Sequence, residues 1–536
     1  MTETAAHSRS LVWHICRKDL RLIWPLALGV ALGQFVLLML QAHARPFDMG
    51  DGARLTSAIF SVGLGLGLSL LIFLIVQADG VAGVDQDWLV RPIRRRDLLL
   101  AKILTVVALV HGPIFVGNLV MGLAGGFGPG ASLRAALLGS AVLAVWFTLP
   151  VMAIGALTKS ITEALLTGLA VLFGALILAW LASSILRQPT VDTGLAWVWG
   201  SARHGLLFTV SIAVLVWQYQ RRNTVAARRL FIAGVLAFVW MPSLPWQPAF
   251  AIQQALSDPE SGSRAGTLVI TAVPDDSSAT SATSVAGPLD LPVFLAAEER
   301  KAAKSDVPKK LVRVSQLVEF AGLPEGSLVH IDRAAVRISD ADGHRLYQGM
   351  GHSFAVRAAR PGDKARLLQL VDLPRHVYER LYAQKLQLQV RYYLTVLRPR
   401  VLAALPARAD AQRVPELGSC ASKIDDEGKG LDVACARVGE QPMCLSLSLR
   451  SHDGAAQGTQ QFVCDLNYEP GALRFSGDVF DHFDANLPFA VGGVTAQDAE
   501  IAITSYDAVE HLERTLLVPS FRLRDQGQAI SRSAVP

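Results

Sequence analysis

The stretch Asp87-Trp-Leu-Val-Arg-Pro-Ile-Arg-Arg-Arg-Asp-Leu-Leu-Leu-Ala-Lys102 places five basic residues and a proline between two long apolar runs. Charge that dense beside sequence that apolar marks a membrane boundary rather than a soluble surface. The surrounding chain agrees. Of 536 residues only 18% are charged, and the mean hydropathy is +0.36. The apolar excess lies almost wholly before Trp246. The chain therefore divides into a leader (1–21), an α-helical polytopic membrane region (22–246), a loop-rich linker (247–310) and a β-rich soluble region (311–536).

At roughly 20 residues per crossing, seven runs qualify as spans: 22–40, 56–78, 103–124, 133–157, 165–185, 202–219 and 230–246. The sixth has Arg203 and His204 at its mouth, so its start is expected further back, toward Trp197. The seventh is short and contains Pro242 and Pro245, so the count is six or seven. The first run is too long for a secretory signal core and no small-x-small cleavage site follows it, so it reads as an uncleaved helix.

Basic residues gather at Arg17/Lys18/Arg21, at Arg91/Arg94/Arg95/Arg96/Lys102, at Lys159 and at Arg221/Arg222/Arg228/Arg229. The alternating loops hold only scattered single arginines. An inside amino terminus places all four clusters on the cytoplasmic side. Seven crossings then leave the β-rich region outside.

The cysteines bear on that expectation. Cys420, Cys435, Cys444 and Cys464 fall within 45 positions of the soluble region, while Cys16 lies in the leader. An even local group suits two disulfides in an oxidising compartment, with three pairings open. A zinc site and free thiols are the alternatives, although no Cys-x-x-Cys pair occurs.

Within the opening stretch, Pro92 resists a helix at its own position. Asp97 offers a cap, and Leu98 begins the next helix. Asp85 and Asp87 are placed to pair with Arg94–Arg96 across the bend. The arginines suit anionic lipid headgroups or a protein partner.

The segment from Trp88 to Lys102, with its Trp-Leu, Arg-Pro, basic run and Leu-x-x-x-Lys, resembles the loop joining the second and third membrane helices of type-2 ABC exporter permeases. The leader Leu11-Val-Trp-His-Ile-Cys-Arg-Lys-Asp-Leu-Arg-Leu-Ile-Trp24 resembles that family's amphipathic elbow helix. The resemblance covers about residues 8–246. It implies that Arg91, Pro92, Arg94, Arg95, Arg96, Asp97 and Lys102 contact an ATP-binding subunit or anchor the cytoplasmic face. It also implies a homodimer or heterodimer of permease subunits in a bacterial inner membrane. The family ends in the cytoplasm after six helices, whereas this chain has an apparent seventh and a large further domain.

Other chemistries find no support in the sequence. No Gly-x-x-x-x-Gly-Lys-Ser/Thr loop exists, since Gly155–Ser160 has the wrong glycine placement and in Gly428–Gly430 no serine or threonine follows the lysine, so ATP and magnesium are expected on a partner and no cofactor on this chain. The basic runs abut apolar ones, and no base-reading motif occurs, which argues against nucleic acid. Asp79, Asp85, Asp87 and Glu163 stand at span ends rather than in an interior proton relay. His330, His344 and His352 are dispersed and form no Gly-x-Ser-x-Gly elbow, so no catalytic site is expected. Glycines such as Gly63, Gly65, Gly67, Gly168 and Gly174 suit close helix packing. Pro113 and Pro150 are candidates for kinks.

Alternating runs at 268–273, 328–338, 365–371, 386–397, 443–449, 460–466 and 473–476 read as strands, with a helix near 374–382. They suggest one or two sandwich-like units. Two functions follow from these readings. One is the membrane permease subunit of an ATP-driven exporter of an amphiphilic cargo such as a lipid, glycan, peptide or drug-like molecule. The other is a membrane-anchored sensor or adaptor whose outer domain binds a ligand or envelope partner.

Overall fold

A computed structural model describes residues 2–43, 51–78, 94–186, 196–241, 247–256, 268–272, 311–322, 326–351, 354–357, 366–382, 384–406, 409–425, 430–438, 443–451, 457–465, 480–489 and 499–523. An N-terminal bundle of long apolar helices is followed by antiparallel sheets. The helices are α1 (Thr2–His43), α2 (Asp51–Gln77), α3 (Arg95–Val106), α4 (Gly112–Ala124), α5 (Pro129–Leu143), α6 (Leu149–Leu157), α7 (Ile161–Leu186), α8 (Ala196–Arg221), α9 (Thr224–Trp240) and α10 (Gln247–Ala255).

The leader and first span form one helix. Val12, Ile15, Asp19, Ile23, Ala27, Val30, Gln34 and Leu37 recur every three or four residues, and all are buried. One packing stripe thus runs through the expected boundary between leader and first span, and Pro25 falls on the exposed side. Exposed Leu22, Trp24, Leu28 and Phe35 form the other face.

The two candidate kinks take another form. A π-helical segment, Val107–His111, joins α3 to α4, and a second, Ala144–Thr148, joins α5 to α6. Each is followed by one residue and then a proline, Pro113 or Pro150. A proline ring crowds the carbonyl four residues earlier and supplies no N–H. Here that carbonyl lies inside the widened turn, and the Gly112 and Leu149 N–H groups reach back five residues to Val107 and Ala144. The helix widens instead of breaking.

Among the described residues six helical stretches are long and apolar enough to cross a membrane: Val12–Leu37, Ile59–Gln77, Arg95–Ala124, Pro129–Leu157, Ile161–Leu178 and Trp197–Arg221. Helix α8 does begin near Trp197, as expected. Helix α9, with 17 residues, covers about 25 Å at 1.5 Å per residue.

Among the described residues the β-rich region holds three sheets. A seven-stranded sheet contains β12 (Gln457–Asp465), β11 (Met443–Ser451), β14 (Ala499–Phe521), β7 (Leu386–Pro406), β3 (Leu328–Ser339) and β4 (Arg345–Met350) in that order, with β5 (Phe354–Arg357) also on β3. Strands β7 and β14 run 21 and 23 residues and pair along nearly their whole length through three register shifts. One half of this ribbon faces the three-stranded sheet β1 (Val269–Ala272), β2 (Leu311–Ala321) and β6 (Arg366–Pro374), with Val314, Val318, Val336, Val390 and Leu512 in the shared core. Helix α11 (Arg375–Leu381) closes that core with Val377 and Leu381. The other half faces β13 (Phe480–Pro488), β10 (Gly430–Val438), β9 (Ser419–Ile424) and β8 (Ala409–Arg413) over Leu405, Val433, Leu447, Leu487 and Ile501. Two lobes therefore share one long two-stranded spine. Strand β1 and helix α10 fall inside the expected linker, and β1 joins the fold by pairing with β2.

Cys420 and Cys435 stand opposite each other on β9 and β10 and form a disulfide. Cys444 is also disulfide-bonded, and the register position opposite it on β12 is Cys464. Cys16 is a free thiol.

Candidate functional site

The basic clusters converge on one end of the bundle. Arg95 opens α3 and its Nη1 donates to the Gln220 carbonyl at the foot of α8, at 2.8 Å. Arg228, in the first turns of α9, donates to the Leu157 carbonyl (2.9 Å) and pairs with Glu163 Oε1 (2.8 Å). The other Glu163 oxygen accepts from the Lys159 N–H at 2.8 Å. Arg221 lies over the Trp217 ring, 5.5 Å from its centroid. Burial, and then the nearby charge of Arg95, holds the Arg222 guanidinium below its usual pKa.

Arg94, Arg95 and Arg96 are exposed at this end. The N-cap is Arg94 rather than Asp97, and Asp97 sits in the first turn, where its charge complements the helix dipole. Lys102 turns inward. Its Nζ lies 2.7 Å from Asp19 Oδ2, with both side chains fully buried. Cys16 Sγ approaches the Ala101 carbonyl one turn away, at 3.4 Å. Asp85, Asp87, Arg91 and Pro92 lie outside the described residues, and so do the expected pairs across the bend.

Spans without interior ionisable groups are not what the structure contains. Asp19, Lys102 and His111 are buried within span-length helices. Arg203 lies 5.4 Å from the centroid of the Phe238 ring. His204 stacks edge-on against Trp146 (5.1 Å) and shares a 2.6 Å hydrogen bond with the Gly200 carbonyl. Gly67 and Gly155 sit at helix contacts, against Val30 and against Phe73 and Val76. Gly63, Gly168 and Gly174 face open space.

The β lobes attach at the opposite end. The α4–α5 turn is clasped by the β8–β9 turn, where the Ser419 N–H donates to the Gly125 carbonyl at 2.7 Å. Phe127 packs on Phe480 with ring centroids 5.0 Å apart. Gly126 takes a φ of 85°, which excludes most side chains. A Cβ on Gly122 would stand 2.6 Å from Phe480 Cζ. A second junction lies at the start of α8, where Trp197, Val198 and Trp199 join Phe250 of α10 and Tyr393 of β7.

On the sheet face that carries Tyr393, three strands contribute a polar row. His330, Thr395 and His511 are register partners on β3, β7 and β14. The register shift between Ile331 and Arg333 brings Asp332 into the row. Its Oδ2 accepts the Thr395 hydroxyl at 2.6 Å and its Oδ1 lies 2.8 Å from His330 Nδ1. With the hydroxyl proton so engaged, the His511 Nδ1–H donates to Thr395 Oγ1 at 2.8 Å. Burial lowers the His511 pKa and Asp332 opposes that shift. Of the histidines prominent in the sequence, only His330 joins this row. His344 caps the exposed Asp340 turn instead, and His352 is outside the described residues. Asp332, Thr395 and His511 carry no sequence signal, because they lie 63 and 116 positions apart across the row.

No known protein family matches the chain, and no curated protein matches it. Among solved structures it is similar to red sea bream transglutaminase over 41% of this chain and 32% of that one, at 12% identity. The TM-score is 0.11. The chain spans about a third of the transglutaminase's length.

Proposed function

We propose that the chain is the membrane permease subunit of an ATP-driven exporter and that a separate ATP-binding chain docks at Arg94 and Arg96. The observation that carries this reading is the placement of that basic run. It is exposed, it is held on a frame built by Lys102–Asp19 and Arg95–Gln220, and it forms the foot of a helix whose far end grips the β lobes. A surface held in this way suits an acidic partner that exerts force, whereas a lipid anchor needs no such frame.

In this reading the basic end faces the cytoplasm of a bacterial cell and the β lobes lie outside the inner membrane. The sidedness follows the bias of lysine and arginine toward cytoplasmic loops, and the disulfides suit an oxidising compartment. Nucleotide chemistry belongs to the partner. The apolar, mostly uncharged spans suit an amphiphilic cargo handled by a dimer of such subunits. The test is ATP turnover by the assembled complex in lipid. Replacement of Arg94 and Arg96 by alanine is expected to lower cargo-stimulated turnover at least about tenfold, the loss of one to two charge-assisted contacts. Turnover indifferent to every cargo and to these substitutions contradicts the proposal.

A further inference from the structure

We infer that the stretch Arg95–Ala124 is a lever that couples the basic end of the bundle to the lobe containing the Cys420–Cys435 disulfide. Its 30 residues reach about 45 Å at 1.5 Å per residue, the depth of a bilayer with its headgroup layers. Both ends are fixed. The foot is held by the buried Lys102–Asp19 pair and by Arg95 on Gln220. The head is held because Gly122 leaves no room before Phe480 and because the Gly125 carbonyl is engaged by Ser419.

The grip continues beyond the head. The β8–β9 turn that clasps Gly125 contains Glu416, and Arg400 of β7 binds both Glu416 oxygens and also Asp507 of β14. Displacement of the turn therefore loads β7 at Arg400 and β14 at Asp507. Midway along the lever the π-helical segment ending at His111 replaces the tight helical ladder with wider i→i+5 closures. That segment is the compliant point, and the rigid halves lie on either side of it. The inference rests on the exporter reading only for what pushes on the foot. The coupling itself belongs to this chain, and it is reciprocal between the two ends.

The test uses the full-length chain alone, in lipid nanodiscs, by amide hydrogen exchange. Asp19→Asn loosens the foot without changing its shape. The expected result is exchange faster by about threefold or more in 418–424 and 480–488, with 311–321 and 366–374 unchanged, as expected for a local opening rather than global unfolding. In a Gly122→Leu background, which displaces the head, the added effect of Asp19→Asn at those strands disappears. Should Asp19→Asn fail to fold, Arg95→Ala, an exposed change at the same end, is expected to give a smaller shift in the same strands. Faster exchange confined to α1 and α3, spread evenly through all strands, or persisting in the Gly122→Leu background overturns the lever. A negative result leaves the exporter reading standing, and a missing ATP-binding partner leaves the lever standing.

Discussion

Lys102 and Asp19 form an ion pair at 2.7 Å with no exposed side-chain surface on either residue. A pair buried this deeply adds little net stability over an apolar replacement, yet breaking it strands one charge. Lys102→Met alone leaves the buried Asp19 facing the half-exposed Lys18 at 3.7 Å, and is expected to cost about 3 kcal/mol, the lower end of the range for a broken buried pair. The double variant Asp19→Leu/Lys102→Met should recover most of that loss. Chemical denaturation in detergent, followed by tryptophan fluorescence, reads both.

The clasp at Gly125 gives a second expectation. A Cβ on Gly418 would run into the Gly125 carbonyl and the Phe127 ring. Gly418→Ala should destabilise the β8–β9 lobe by about 1–3 kcal/mol, the usual range for overpacking. Trypsin is expected to cut faster after the exposed Arg413 while the other lobe keeps its protection.

The polar row at Thr395 predicts a pH dependence. His511 has its pKa lowered from the ordinary 6.5 by burial. The unfolded chain therefore takes up its proton first as the pH falls. Stability from this group is complete above pH 6.5 and declines as the pH drops through the folded-state value. Melting temperatures across pH 7.5 to 5 are expected to fall for the wild type, with a shallower fall for His511→Gln. Asp332→Ala should cost about 1–3 kcal/mol at neutral pH, because it removes the carboxylate that accepts the buried Thr395 hydroxyl and lies against His330 Nδ1.

The Cys420–Cys435 bond closes a loop with a sequence separation of 15. A loop of that size corresponds to about 3 kcal/mol of chain-entropy stabilisation. The Cys420→Ser/Cys435→Ser variant should lose about that much in its lobe, measured by proteolysis of 409–438. Dithiothreitol should lower the stability of the wild type more than that of the variant.

What could be read in the sequence followed from local chemistry. The membrane region was legible because Arg94–Arg96 and their fellow clusters abut uncharged runs, and the structure gathers these clusters at one end. Strands β3, β7 and β11 were legible from alternation. Strand β14 was not, because its register shifts near Ile503, Ala508 and Val518 break the period of two and charged residues such as Glu510 and Arg514 interrupt the apolar pattern. The continuity of the leader with the first span is masked in the sequence because basic residues and the buried Asp19 interrupt the apolar stripe of Val12, Ile15 and Ile23. Lys102 read as a surface residue because its partner is 83 positions away. The row of His330, Asp332, Thr395 and His511 exists only once three strands are in register.

Arg94 and Arg96 are proposed to present a docking surface for an ATP-binding chain. The most direct test is gentle purification of the intact protein from its own membranes, with mass identification of the chains that accompany it. A stoichiometric ATP-binding chain is expected, and it is lost when Arg94 and Arg96 are replaced by alanine. Repeated recovery of the folded protein from several mild detergents without such a chain would contradict it, and would favour a sensor whose β lobes bind a ligand.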